Sequence, residues 1–127
     1  MAVATNETTI ARPPDAVWAV VRDYHGLAAW MPGVDSCTAD GDDRVLEMMG
    51  MVIRERLVRR DDDARVLVYA IADGVPVERH EATITVSPDG DGTRVVWSVD
   101  VEPDSMAELM GGIYAQSLEA LRAHCEA

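Results

Sequence analysis

Apolar and polar residues alternate along most of this chain, and a helical period replaces the alternation near each end. Val3-Ala4-Thr5-Asn6-Glu7-Thr8-Thr9-Ile10 predicts a first strand, rich in threonine. Pro13-Pro14-Asp15 then opens a helix. Pro14 suits a first helical turn, where an N–H would lack a partner, and Asp15 complements the positive helix end. Val17, Val20, Val21 and Tyr24 recur at helical spacing and give that helix one buried face. His25-Gly26 interrupts it, and Leu27 to Trp30 makes a second short turn stopped by Pro32-Gly33.

From Val34 to Val101 strand follows strand. Asp40-Gly41-Asp42-Asp43 predicts a turn, Val45 to Met49 a strand, Gly50 a tight turn, and Val52 to Arg60 the next strand. Asp61-Asp62-Asp63 turns the chain into Arg65 to Ala72. A loop at Asp73-Gly74-Val75-Pro76 leads to Glu78–Ser87, and Pro88-Asp89-Gly90-Asp91-Gly92 connects to Arg94–Val101. That last Asp-Gly run resembles part of a calcium loop but lacks ligands at the remaining offsets, so it reads as a plain turn.

Ser105-Met106-Ala107-Glu108 has the spacing of a capping box and nominates Ser105 as N-cap. Met106, Leu109, Met110, Ile113, Ser117, Leu121 and Cys125 continue at three-to-four spacing, which predicts one long amphipathic helix to the end. Gly111-Gly112 sits inside it, at a cost on the order of 1 kcal/mol per glycine relative to alanine. Such a pair implies a kink, close approach to a strand, or space left for something else.

Composition narrows the function classes. The 127 residues suit one domain spanning 1–127, and a 48% hydrophobic content suits a globular core. A net charge of −12 argues against nucleic acid and anionic membrane as partners. No leader and no membrane-length apolar run is visible, which predicts a cytoplasmic protein. Cys37 and Cys125 read as two reduced thiols. His25, His80 and His124 share no ligand spacing, so neither metal nor other cofactor is expected. There is no nucleophile elbow and no phosphate loop. The core vocabulary is unusual: no Phe, but seven Met and three Trp. Methionine fills irregular spaces and lines adaptable binding surfaces.

The order of strand, short helices, antiparallel strands and long terminal helix is that of an α+β helix-grip fold: a curved antiparallel sheet of about seven strands around the C-terminal helix. Several segments agree. Ile10-Ala11-Arg12-Pro13-Pro14-Asp15-Ala16-Val17-Trp18 resembles the opening of the START-related, Bet v 1-like (SRPBCC) superfamily, in particular its bacterial polyketide cyclase/dehydrase branch. Trp30-Met31-Pro32-Gly33-Val34 is similar to that branch's Trp-x-Pro-Gly segment. Arg54-Glu55-Arg56-Leu57, Tyr69-Ala70-Ile71 and Val95-Val96-Trp97 follow its strand pattern in order. The resemblance implies a deep apolar cavity between sheet and long helix. It implies no single activity, since the superfamily includes cyclases, lipid carriers and hormone receptors.

Strand parity nominates the cavity wall, because alternate residues share a face. Ile53, Glu55 and Leu57 form one inward set; Leu67, Tyr69 and Ile71 a second, opposed by Val68 and Ala70; Glu78, His80, Ala82, Ile84 and Val86 a third; Val95, Trp97, Val99 and Val101 a fourth. The predicted polar cluster is therefore Glu55, Tyr69 and His80, with Glu78 as a further candidate. Desolvation is expected to raise the Glu55 pKa, and a neighbouring His80 could then share its proton for enolisation, aldol closure or dehydration. Tyr69 would donate to an enolate oxygen. A structural hydrogen-bonded pair, or one that only orients ligand, is the other reading of Glu55 and His80. The expected apolar contacts are Ile53, Ile71, Trp97 and Val99 on the sheet, Met49 at a turn, and Met106, Leu109, Met110 and Ile113 on the helix. By the resemblance, Trp30 and Met31 lie near the cavity mouth, with Trp30 either plugging the core or touching ligand. The expected partner is a hydrophobic polyketide-, aromatic- or lipid-like small molecule, bound by a monomer or homodimer. A non-catalytic carrier or sensor of a lipid-like or aromatic ligand, and an interaction module with a vestigial cavity, are the alternatives to a polyketide cyclase or dehydratase.

Overall fold

The computed structural model describes residues 2–127. Its seven strands are β1 (Ala2–Ile10), β2 (Val34–Asp40), β3 (Asp43–Met48), β4 (Met51–Asp61), β5 (Val66–Asp73), β6 (Arg79–Asp89) and β7 (Gly92–Glu102). They form one antiparallel sheet in the order β1-β7-β6-β5-β4-β3-β2, so every consecutive pair from β2 to β7 is hairpin-connected and β1 closes on β7. Helix α1 (Pro14–Val21) and a 3₁₀ turn (Tyr24–Ala29) follow β1, and the 22-residue helix α2 (Ser105–Glu126) ends the chain. This is the curved-sheet, long-helix arrangement expected from the order of elements.

The turns obey local chemistry. Met48 pairs with Met51, and the two residues between them, Met49 and Gly50, have φ of 51° and 74°. Two positive φ values are what a type I′ hairpin turn requires. They push the Met49 side chain out at the tip of the β3–β4 hairpin, 61% exposed. The pairing of β4 with β5 shifts register between Arg54 and Glu55 and again between Leu57 and Arg59. Such bulges bend a strand.

Two sequence expectations move by a residue or two. Asp104, not Ser105, is the N-cap of α2, and no side-chain cap bond forms. The turn starts early because Met106 N–H donates to Pro103 O (3.0 Å) and Ala107 N–H to Asp104 O (3.1 Å). Tyr24 does not extend α1, which stops at Val21; it begins the 3₁₀ turn and is buried.

Helix α2 packs along β1 and β7. Gly111 makes the approach possible: a Cβ there would sit 3.2 Å from the Ala4 Cβ, and Asn6 Nδ2 donates to Gly111 O at 2.9 Å. Close approach is therefore the reason for the first glycine, and the helix runs through it unbroken. A Cβ on Gly112 would meet nothing within 4 Å. Pressed against one side of the sheet, the helix leaves a gap on the other, over β3, β4 and β5.

Candidate functional site

That gap is a cavity of about 120 Å³ between the sheet and α2. Methionine dominates it. Met31, Met48, Met49, Met51, Met106 and Met110 all line it, six of the seven in the sequence. Leu27, Leu46, Ile53, Ile71, Val75, Leu109 and Ile113 complete the apolar wall. Leu109 is 57% exposed, so it, like Met49, stands at the rim.

The polar wall consists of Arg44, Glu55, Tyr69 and Tyr114. Arg44 points inward because it alternates with Leu46 and Met48 along β3, and it is 3% exposed. Its Nε donates to Glu55 Oε1 at 2.8 Å, its Nη2 makes an ion-pair contact with the same oxygen at 2.7 Å, and Nη1 donates to the Tyr24 carbonyl at 2.9 Å. The guanidinium lies against two rings, 3.9 Å from the Tyr24 centroid and 4.9 Å from that of Tyr69. Two aromatic faces and a carboxylate together offset the desolvation of a buried cation. Glu55 Oε2 accepts no bond among the described residues.

Behind this pair lies a second network. Trp97 Nε1–H donates to the Tyr69 hydroxyl (3.1 Å), and the Trp97 ring stacks on Tyr114 at 4.4 Å. The Tyr69 and Tyr114 phenols also interact with one another. Burial holds both phenols well above the usual tyrosine range, so both keep their protons. His80 Nδ1 accepts the Ile71 N–H (3.1 Å), and its Nε2 lies 3.1 Å from the Tyr114 hydroxyl. Burial pulls the imidazole down to about 4, so it is neutral at pH 7. A backbone N–H can only donate, hence the single ring proton sits on Nε2 and is given to Tyr114.

His80 occupies this place for a backbone reason. Strand β5 pairs with β6 only from Val66 to Tyr69 and then diverges, leaving the Ile71 N–H without a ladder carbonyl. The imidazole supplies the missing acceptor. His80 therefore lies behind the cavity wall rather than in it, and the structure does not join it to Glu55, which is bound to Arg44 instead. Glu78 precedes β6 and is exposed, its N–H committed to Glu102 O at 2.7 Å.

The remaining sequence-nominated residues divide in the same way. Glu55, Tyr69, Met31, Met49, Ile53, Ile71, Met106, Leu109, Met110 and Ile113 line the cavity. Trp30, Trp97 and Val99 do not: Trp97 and Val99 face inward but under α2, and Trp30 packs edge-on against Trp97 at 6.1 Å. Arg44 and Tyr114 escaped the sequence reading. Beginning β3 at Val45 put Arg44 in a turn, although Arg44, Leu46 and Met48 alternate. Tyr114 stands four residues after Met110 and four before Leu118, on the buried stripe of α2. Among the described residues no cluster of His, Cys, Asp or Glu could hold a metal ion, and no helix is long and apolar enough to cross a membrane.

Known structures share this architecture. The protein XoxI from Bacillus cereus is 30% identical, with 98% of this chain and 95% of that one aligned at a TM-score of 0.91. An uncharacterised protein from Bacillus thuringiensis is 27% identical over 98% of both chains, with a TM-score of 0.89. A START superfamily protein from Mycobacterium smegmatis, 17% identical over 96% of this chain and 97% of that one, shares the fold at a TM-score of 0.75. None of the curated proteins matches the chain significantly. The family model described as polyketide cyclase/dehydrase and lipid transport matches residues 1–126. With a match over nearly its whole length, and a fold shared with a START protein, the chain belongs to the polyketide cyclase/dehydrase and lipid transport family.

Proposed function

We propose that this protein binds a hydrophobic small molecule in the cavity between β3–β5 and α2. One observation carries the reading: a void walled by six methionines and a few polar groups, set beside a continuous buried apolar core. Apolar walls with a small number of placed polar groups are how small-molecule sites are built.

Within that reading, the geometry favours a carrier or sensor over a cyclase that works through a Glu55–His80 pair. Both groups already have structural partners, and they do not share a proton. Turnover would have to run through Glu55 Oε2 as base and a tyrosine hydroxyl as donor to an enolate oxygen. Native mass spectrometry of freshly purified protein, followed by a thermal-shift panel of polyketide, isoprenoid, fatty-acid and simple aromatic ligands, tests the proposal. Retained mass or a saturable rise in melting temperature is expected. No retained mass and no shift across the panel would contradict it. If a ligand is turned over, Glu55→Gln should abolish turnover while binding persists; a carrier would show only a change in affinity.

A further inference from the structure

The hydrogen-bond polarity of the cavity wall specifies more than apolarity. Trp97 Nε1–H and His80 Nε2–H can only donate, so the oxygens of Tyr69 and Tyr114 are both acceptors in the buried network. The two phenols carry one proton each. At most one of these can be shared between them, and neither hydroxyl donates to a carbonyl or carboxylate among the described residues. At least one O–H is left over, on side chains that line the cavity.

The opposite polarity comes from Glu55. The Arg44 hydrogen bond and the short ion-pair contact both fall on Oε1. The buried side-chain polar atoms without a partner are the Tyr24 hydroxyl and Asp100 Oδ1, and Glu55 Oε2 is not one of them. An oxygen that takes no bond and yet is not sealed is open to the cavity its residue lines. The wall therefore offers one surplus donor and one surplus acceptor, surrounded by methionine and aliphatic carbon.

Size sets the second limit. A dry cavity of about 150 Å³ accommodates benzene, whereas drug-sized ligands need roughly 300 Å³ or more. At about 120 Å³ this cavity matches one ring, not a fused polycycle. We infer that the ligand is a one-ring phenol or an enol of similar size, whose hydroxyl donates to Glu55 Oε2 while its oxygen accepts the surplus tyrosine proton. A hydroxyl is the smallest group that satisfies both at once. This inference rests on the proposed binding function and narrows its ligand class.

Isothermal titration of the wild-type protein with p-cresol, toluene and 4-methylanisole tests it. Toluene removes the hydroxyl, and 4-methylanisole keeps the acceptor oxygen without the proton for Glu55. We expect p-cresol to bind at least about ten-fold more tightly than toluene, because an open charged acceptor rewards a donor. The p-cresol to toluene ratio should shrink in the Tyr69→Phe/Tyr114→Phe double variant yet stay above one, because Glu55 still accepts the ligand hydroxyl, provided its circular dichroism is native. The wild-type comparison decides even where that variant does not fold. Equal binding of p-cresol and toluene would overturn the inference and leave the binding function standing. Binding of 4-methylanisole as tight as that of p-cresol would overturn the role of Glu55. Absence of binding by all three would overturn the inference and count against the binding reading itself.

Discussion

The two ends of the space under α2 are built from different residues. Toward Leu118 and Leu121 the core is Ile10, Val17, Val86 and Val95, all branched, stiff and 2% exposed or less. Toward Met106 and Met110 it is methionine around a void. Branched side chains have few rotamers and lock one packing; methionine has three flexible torsions and adapts to what it touches. One end holds the helix in place, and the other can receive a ligand without disturbing that hold. Trp97, Tyr69 and Tyr114 form the partition, joined by ring contacts and by the hydrogen bond from Trp97 to the Tyr69 hydroxyl.

The largest effect expected is at the boundary between sheet and cavity. Arg44→Met strands the Glu55 carboxylate in a buried site and should cost about 3–5 kcal/mol in urea unfolding. Replacing both members, as Arg44→Met/Glu55→Met, should recover most of that loss, since well-packed apolar residues often replace a buried ion pair without penalty. A single variant as stable as the wild type would show that the pair is not sealed.

Next comes the direct contrast between the two ends. Leu118→Ala should cost about 2–5 kcal/mol through a cavity its stiff neighbours cannot fill. Met110→Leu should cost less than about 1.5 kcal/mol while changing ligand affinity. Equal losses from matched alanine substitutions at Leu118 and Met110 would erase the distinction.

The partition itself responds to pH. The folded His80 pKa lies at about 4, below the value of about 6.5 for a free imidazole. As pH falls through 6.5 the unfolded chain takes up the proton first, so stability decreases until the folded group titrates near 4 and then levels off. Its full size is about 3 kcal/mol. His80→Gln can accept from the Ile71 N–H and donate to Tyr114 without titrating. The wild type should lose that amount relative to His80→Gln between pH 7 and pH 4, measured by denaturant unfolding at each pH. Parallel pH profiles would contradict the buried, neutral imidazole.

The smallest effect separates the two glycines of α2. Gly112→Ala should add about 0.5–1 kcal/mol, because the backbone is already helical and the new methyl meets nothing. At Gly111 the same change crowds Ala4 and should gain less or lose stability. Thermal unfolding of the two variants side by side resolves the order.

The elements were readable because their periods are strong: β6 and β7 alternate cleanly over most of their length, and each turn carries Asp, Gly or Pro. The inward sets on β4, β6 and β7 could be written from parity alone, apart from Glu78. Parity does not say what covers an inward residue. Trp97 and Val99 point the same way as Ile53, yet α2 covers the first two and the void lies over the third. Nor does it show partners. Glu55 and His80 were inward on separate strands, but the divergence of β5 from β6 claimed His80, and Arg44 claimed Glu55. Arg44 was hidden by its setting, since Asp42-Asp43-Arg44 reads as a charged turn until the alternation with Leu46 and Met48 is followed back.

The cavity is the central claim, and a variant that fills it tests it most directly. Met110→Trp places a large side chain in the void while leaving the stiff end of the core untouched. Titration calorimetry of p-cresol should show one saturable site with a negative heat-capacity change in the wild type, and no binding to a natively folded Met110→Trp. Equal binding to both proteins, or binding to neither, would contradict the site.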